Sequence, residues 1–121
     1  MALVDVGRVY VIFTTLTKPK PKEKIVLCIC AKDNLFVWFN TDPQAHGVGQ
    51  LKCSAEEHSA LSHDCYLDLS RVTTFRAAEL TNAQRRDLIS KELRKRICGV
   101  IEAGVETLAP RFAQLIAENF S

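Results

Sequence analysis

The sequence predicts an α+β domain, with about five strands in a small, curled antiparallel sheet followed by helices. Three observations carry that expectation. Residues up to about 76 fall into short runs rich in β-branched and aromatic residues, punctuated by turn formers. From Thr81 onward the hydrophobic period changes from that of a strand to that of a helix. The 121 residues, 47% hydrophobic and 25% charged, suit one soluble domain with a real core. No repeat or linker divides the chain, so 1–121 reads as a single domain, its sheet at about 6–76 and its helices at about 81–120.

Each element has its own justification. After Gly7, "RVYVIFTTLT" forms a strand with Val9, Val11 and Phe13 on one face and Tyr10, Ile12 and Thr14 on the other. "KPKPKEK" is a polar connector. Ile25 to Ala31 and Leu35 to Asn40 are apolar runs joined through Asp33 and Asn34, residues that tolerate a tight hairpin turn. Their continuous apolarity predicts that both faces are covered. "NTDPQAHGVG" is a loop and "VGQLKCS" a short strand. Ser54 and Glu57 make a capping box for one helical turn through "EEHSAL". "DCYLDLSRVTTF" alternates, with Cys65, Leu67 and Leu69 opposite Tyr66, Asp68 and Ser70, and is the last strand expected. A second capping box, Thr81 with Gln84, predicts a helix start; Ser90 can cap a longer one with Leu93, Ile97, Val100, Ile101 and Val105 on one stripe. Pro110 suits the first turn of a final helix that points Phe112, Leu115 and Ile116 inward.

Charge and cysteine usage narrow the function classes. A formal charge of +2 creates no whole-molecule field for polyanions. Ten of the sixteen basic residues nevertheless fall in two segments, Lys18 to Lys24 and Arg85 to Arg96. An odd set of cysteines (Cys28, Cys30, Cys53, Cys65 and Cys98), without CxxC spacing or a signal-like N-terminus, fits a reducing cytoplasm. The apolar runs are far shorter than a membrane span of about 18 residues, so no membrane association is expected.

The order of these features resembles the PemK/MazF family of toxins. A Gly-led first strand, a basic loop, a buried hairpin closing in a Thr, the "YLDLSRVTTF" strand and "LTNAQRRDLISKELRKRI" carry the likeness, over roughly residues 6 to 105. It implies a small SH3-like antiparallel β-barrel with C-terminal helices. It also implies a cytoplasmic, metal-independent endoribonuclease acting on single-stranded RNA, neutralised by a small acidic antitoxin-like protein and acting as a homodimer. The family's catalytic Arg lies just before the second strand, followed by Pro; here Lys22-Glu23-Lys24-Ile25 stands there, so lysine replaces arginine. The family's Thr or Ser closing the third strand corresponds to Thr41. The alternative is a non-catalytic protein-interaction module on the same barrel.

The implied chemistry selects Lys22, Lys24 and Thr41 as catalytic candidates. Cleavage by the 2′-hydroxyl needs a proton acceptor, for which Glu23 is available, and a cation for the charged phosphorane; lysine serves as a point charge where arginine would offer a planar fork. The plain reading is that these lysines are solvated loop residues and that Thr41, beside Asp42 and Pro43, fixes a turn. Lys18, Lys20, Arg85, Arg86, Arg94 and Lys95 are nucleic-acid-binding candidates, weighed against a solvated helix on which Glu92 pairs with Arg96. Trp38 reads as core before stacking platform. His58, His63 and Cys65 are metal-ligand types in a spacing, HxxxxHxC, that matches no standard site, so no metal or other cofactor is expected.

Overall fold

The computed structural model describes residues 4–121 and is an α+β fold built on one six-stranded antiparallel sheet with three helices. The strands are β1 (Arg8–Thr14), β2 (Lys22–Cys30), β3 (Leu35–Asn40), β4 (Gln50–Cys53), β5 (Cys65–Thr73) and β6 (Gln84–Leu88). The helices are α1 (Ala77–Thr81), α2 (Lys91–Ala103) and α3 (Pro110–Phe120). Strand order is β4-β5-β3-β2-β1-β6, so by its hydrogen-bonded pairing the sheet is open, with β4 and β6 at its edges. The loop after β4 reaches across to β6. His58 Nε2 lies 2.8 Å from the Asp87 carbonyl, Ser59 Oγ donates to Asp87 Oδ2 at 2.9 Å, and Arg86 donates to the Ser59 carbonyl at 3.2 Å.

The central strands are covered on both faces, as their unbroken apolarity requires. On one face, Val9, Leu27, Ile29, Val37, Leu67 and Leu69 pack with Leu93 and Ile97 of α2 and Ile116 and Phe120 of α3. On the other, Tyr10, Ile12, Val26, Cys28 and Phe36 meet Val4, Phe75 and Leu80. Each fully buried aliphatic or aromatic side chain contributes about 1.5–3 kcal/mol by leaving water. Phe36 anchors the second cluster through edge-on contacts with Tyr10 and Phe75, at ring-centroid distances of 6.1 and 5.3 Å.

Local signals explain most boundaries. Asn34 turns the β2–β3 hairpin in the left-handed region, at φ 53°. Leu93 N–H donates to Ser90 Oγ at 3.1 Å, the expected cap of α2, and Pro110 starts α3. Gly7, at φ +81°, has its N–H bonded to Cys28 O and its carbonyl to Ile89 N. A Cβ there would stand 2.5 Å from Arg94 Nη1.

The structure corrects the expectations between residues 76 and 96. The helix before residue 84 is the short α1, where Glu79 accepts from Arg76 N–H at 3.1 Å; the Thr81–Gln84 start is not used. Gln84 instead begins β6, a sixth strand that pairs with β1 in the register Arg8↔Leu88, Tyr10↔Arg85 and Val11↔Gln84. The sheet therefore runs past the expected limit of about 76. Pairing with the open edge of β1 outweighs the favourable helix propensity of Gln, Arg and Leu in "QRRDL", which carries no apolar stripe to bury against the core as a helix. Arg96 pairs with Glu57 and with the Lys52 carbonyl, not with Glu92, and so ties α2 to the segment after β4. That segment is a 3₁₀ turn, Ala55–Glu57, in which Glu57 Oε2 accepts from Ser54 N–H at 2.7 Å. Val105 lies beyond the end of α2 at Ala103 but still packs against the larger core. Among the described residues no helix is long and apolar enough to cross a membrane.

Candidate functional site

The start of β2, the end of β3 and the returning loop 61–65 enclose a cleft of about 190 Å³. Antiparallel pairing dictates this assembly. β1 pairs Thr14 with Lys22 and Ile12 with Lys24, while β2 pairs Val26 with Trp38, which places Lys24 beside Asn40 at the same end of the sheet. Lys22, Lys24 and Thr41, singled out on the sequence, all line the cleft. Glu23 and Asn40 join them, Phe39, Leu61 and Cys65 supply apolar surface, and Ser62 and His63 close the far side.

The polar groups are connected. Lys24 Nζ donates to Asn40 Oδ1 at 2.7 Å and stands 5.3 Å from the centre of the Trp38 ring. Thr41 Oγ1 lies 3.2 Å from His63 Nε2, whose other ring nitrogen lies 3.2 Å from Ser62 Oγ. Burial first, and the Lys22 charge second, lower the Lys24 ammonium from the ordinary lysine value. Burial pushes the Cys65 thiol up to about 11, with Asp64 and Glu57 adding to the rise, so the thiol is protonated near neutrality and is no nucleophile there. The cleft thus offers two ammonium groups, an imidazole held between hydroxyls and a carboxylate, around a volume suited to a phosphate-sized group. On the sequence His63 stands out as a metal-ligand type, not as a partner of Thr41. Its neighbour in sequence is Asp64, but its partner is Thr41, brought near only when the loop folds back over the end of β3.

The remaining basic candidates are dispersed. Lys18 and Lys20 are exposed in the loop that leads into β2, where the Lys20 carbonyl accepts from Thr17 Oγ1 at 2.8 Å. Arg85 and Arg86 lie on β6, not on a helix; Arg85 pairs with Asp5, and Arg86 reaches Ser59. Arg94 packs over the Phe120 ring at 4.9 Å and donates to the Asn119 carbonyl at 3.3 Å, which makes it a clamp between α2 and α3. Lys95 is exposed on α2.

His58 stands apart from His63 and Cys65, which share the cleft. His58 is buried; its Nδ1 accepts from Ala60 N–H at 2.9 Å, so its Nε2 carries the proton donated to Asp87 O. Among the described residues no three His, Cys, Asp or Glu side chains stand close enough to hold a metal ion. Trp38 is neither full core nor open platform. It is half-buried, stacks on Phe75 at 6.3 Å and 12°, and its buried Nε1 has no hydrogen-bond partner among the described residues.

No family model, curated protein or solved structure matches this chain.

Proposed function

We propose that this chain is a PemK/MazF-like protein on an SH3-like small barrel, which binds single-stranded RNA in the Lys22–Lys24 cleft and cleaves it there as a metal-independent endoribonuclease. The observation that carries this reading is the convergence of Lys22, Lys24 and Thr41 with His63 in one cleft. The ties from the 54–64 loop to β6 support the barrel, since they draw the two sheet edges together.

In the reaction, His63 or Glu23 takes the proton of a ribose 2′-hydroxyl as its oxygen attacks the adjacent phosphorus. The bond to the 5′-oxygen of the next nucleotide breaks, leaving a 2′,3′-cyclic phosphate and, after proton return, a 5′-hydroxyl. Lys24 and Lys22 offset the extra negative charge of the phosphorane, and Thr41 holds the His63 ring in position. Positioned general acid–base groups contribute about 10²–10⁴-fold. Lysine gives this charge without the bidentate geometry of an arginine, so the rate is expected to be modest.

An acidic antitoxin-like protein fits the same place. Phe13 stands opposite Glu23 across β1 and β2 and is 62% exposed, giving the rim of the cleft an apolar anchor beside its positive charge.

The test is inducible expression in a bacterial host together with assay of purified protein on a long single-stranded RNA. Growth arrest, cleavage and low-salt RNA binding by the natural chain, all lost in the Lys22→Ala/Lys24→Ala variant, with cleavage and growth arrest but not binding lost in His63→Gln, are the expected results. Intact, unshifted RNA at low salt would rule the reading out. Protein capture with neither RNA binding nor cleavage would leave the non-catalytic protein-interaction module.

A further inference from the structure

A second, larger pocket of about 380 Å³ adjoins the cleft and shares Asn40 with it. An irregularity in the sheet creates it. β3 and β5 pair Phe36 with Thr73 and Trp38 with Asp68, so Leu69 to Val72 lie opposite Val37 alone and β5 swings away from its neighbour. Such departures from the ladder re-aim side chains and recur beside binding sites. On its other side β5 stays attached to the β4 edge, where Leu69 N–H donates to the Gly49 carbonyl at 2.9 Å. The gap is lined on its apolar side by Trp38 and Ala45 and on its polar side by Asn40, Asp68, Ser70 and Arg71.

The polar groups have a defined sense. Asp68 is only 7% exposed, and Gln50 Nε2, Ser70 N and Ser70 Oγ all donate to its Oδ1. Among the described residues its Oδ2 has no donor, which leaves a fixed, acceptor-only oxygen at the pocket. Asn40 presents the opposite character: its Oδ1 is occupied by Lys24, so its amide nitrogen remains as a donor. A flat apolar wall, one accessible acceptor on a largely buried carboxylate, and donors at Asn40 and Arg71 match the edge of a nucleobase. The volume lies at the small end of ligand pockets, on the scale of one nucleoside.

We propose that this pocket takes a single nucleobase bearing an exocyclic amino group (adenine, cytosine or guanine), while the phosphate of the same nucleotide lies against Lys24 in the cleft. Asp68 Oδ2 accepts from the amino group, as carboxylates do from cytosine. Uracil is disfavoured because its one ring N–H is flanked by two carbonyl oxygens, which would face a buried carboxylate. The phosphate assignment rests on the RNA-binding reading; the base assignment stands on the pocket alone.

Trp38 is the only tryptophan, so its emission reports occupancy directly. Titration of the natural chain with AMP, CMP, GMP and UMP is expected to give saturable changes for the first three, with UMP at least about tenfold weaker. Asp68→Asn, checked for folding by circular dichroism, is expected to bring the four within about twofold, and the comparison of bases on the natural chain stands whether or not that variant folds. Equal response to all four nucleotides, or none at millimolar concentration, overturns the base pocket. If emission is silent while long RNA still binds through Lys22 and Lys24, the base pocket falls and the RNA reading stands. If the amino-bearing nucleotides bind but long RNA does not, the RNA reading falls and the base pocket stands.

Discussion

Lys24→Met separates the charge of Lys24 from its packing. Methionine keeps an unbranched apolar stem beside Trp38 but removes the ammonium, whose one hydrogen-bond partner in the free protein is Asn40 Oδ1 at 2.7 Å. If that ammonium meets RNA phosphate, the variant loses a charge-assisted hydrogen bond of about 1.5–3 kcal/mol, roughly ten- to a hundredfold in affinity at low salt. One fewer phosphate contact also lowers the slope of log affinity against log salt by about 0.7 for a single strand. Between about 50 and 200 mM salt the variant should therefore lose about 2.6-fold less affinity than the natural chain. Fluorescence anisotropy of a labelled single-stranded RNA, titrated at several salt concentrations, measures both quantities. The same substitution has a signature in stability. Folding lowers the Lys24 pKa, so between its folded value and 10.5 the unfolded state binds more protons and stability rises with pH. Lys24→Met should lack that rise, seen as a difference between the two proteins' urea midpoints across that range. An unchanged salt slope and unchanged affinity would refute the assignment of Lys24 to phosphate.

Three further outcomes test other parts of the account. Burial pushes Cys28 up to about 12 from 9.0, so the folded state binds the extra proton and stability should fall as pH rises above 9, by up to about 1.4 kcal/mol per pH unit for each such thiol. Cys28→Ala should flatten that alkaline loss, read from denaturant unfolding at a series of pH values. Trp38→Phe removes a buried N–H that has no partner among the described residues. Its thermal stability should stay within about 1 kcal/mol of the natural chain, against about 3–5 for truncation to alanine. Gly7→Ala meets both the positive φ and the Arg94 side chain, and should cost at least about 1–2 kcal/mol in chemical denaturation.

The sequence made the central sheet legible because its signals there are local and redundant. Leu35 to Phe39 could be nothing but a covered strand, and Asn34 supplied a turn residue where the hairpin needed one. Ser90 and Pro110 marked helix starts for reasons held within a few residues. "QRRDL" had no such signal. Its strand state comes from the free edge of β1, a partner far away in sequence, and the Thr81–Gln84 spacing pointed the other way. The site divided along the same line. Lys22, Lys24 and Thr41 were selected through the family resemblance, and strand pairing places them in one cleft. The contact of His63 with Thr41 was not foreseen because it depends on a loop fold that leaves no periodic trace. The pocket beside Trp38 depends on a register irregularity between β3 and β5 that clean alternation in "CYLDLSRV" concealed.

The most direct test of the central claim is residue-level mapping of RNA contact by ¹H–¹⁵N correlation spectra at low salt, with a single-stranded RNA added in steps. The account expects the earliest and largest shifts at Lys22, Glu23, Lys24, Asn40, Thr41 and His63, fading as salt is raised. Shifts confined to the exposed face of α2 around Lys91 and Lys95, or no shifts at all, would contradict it.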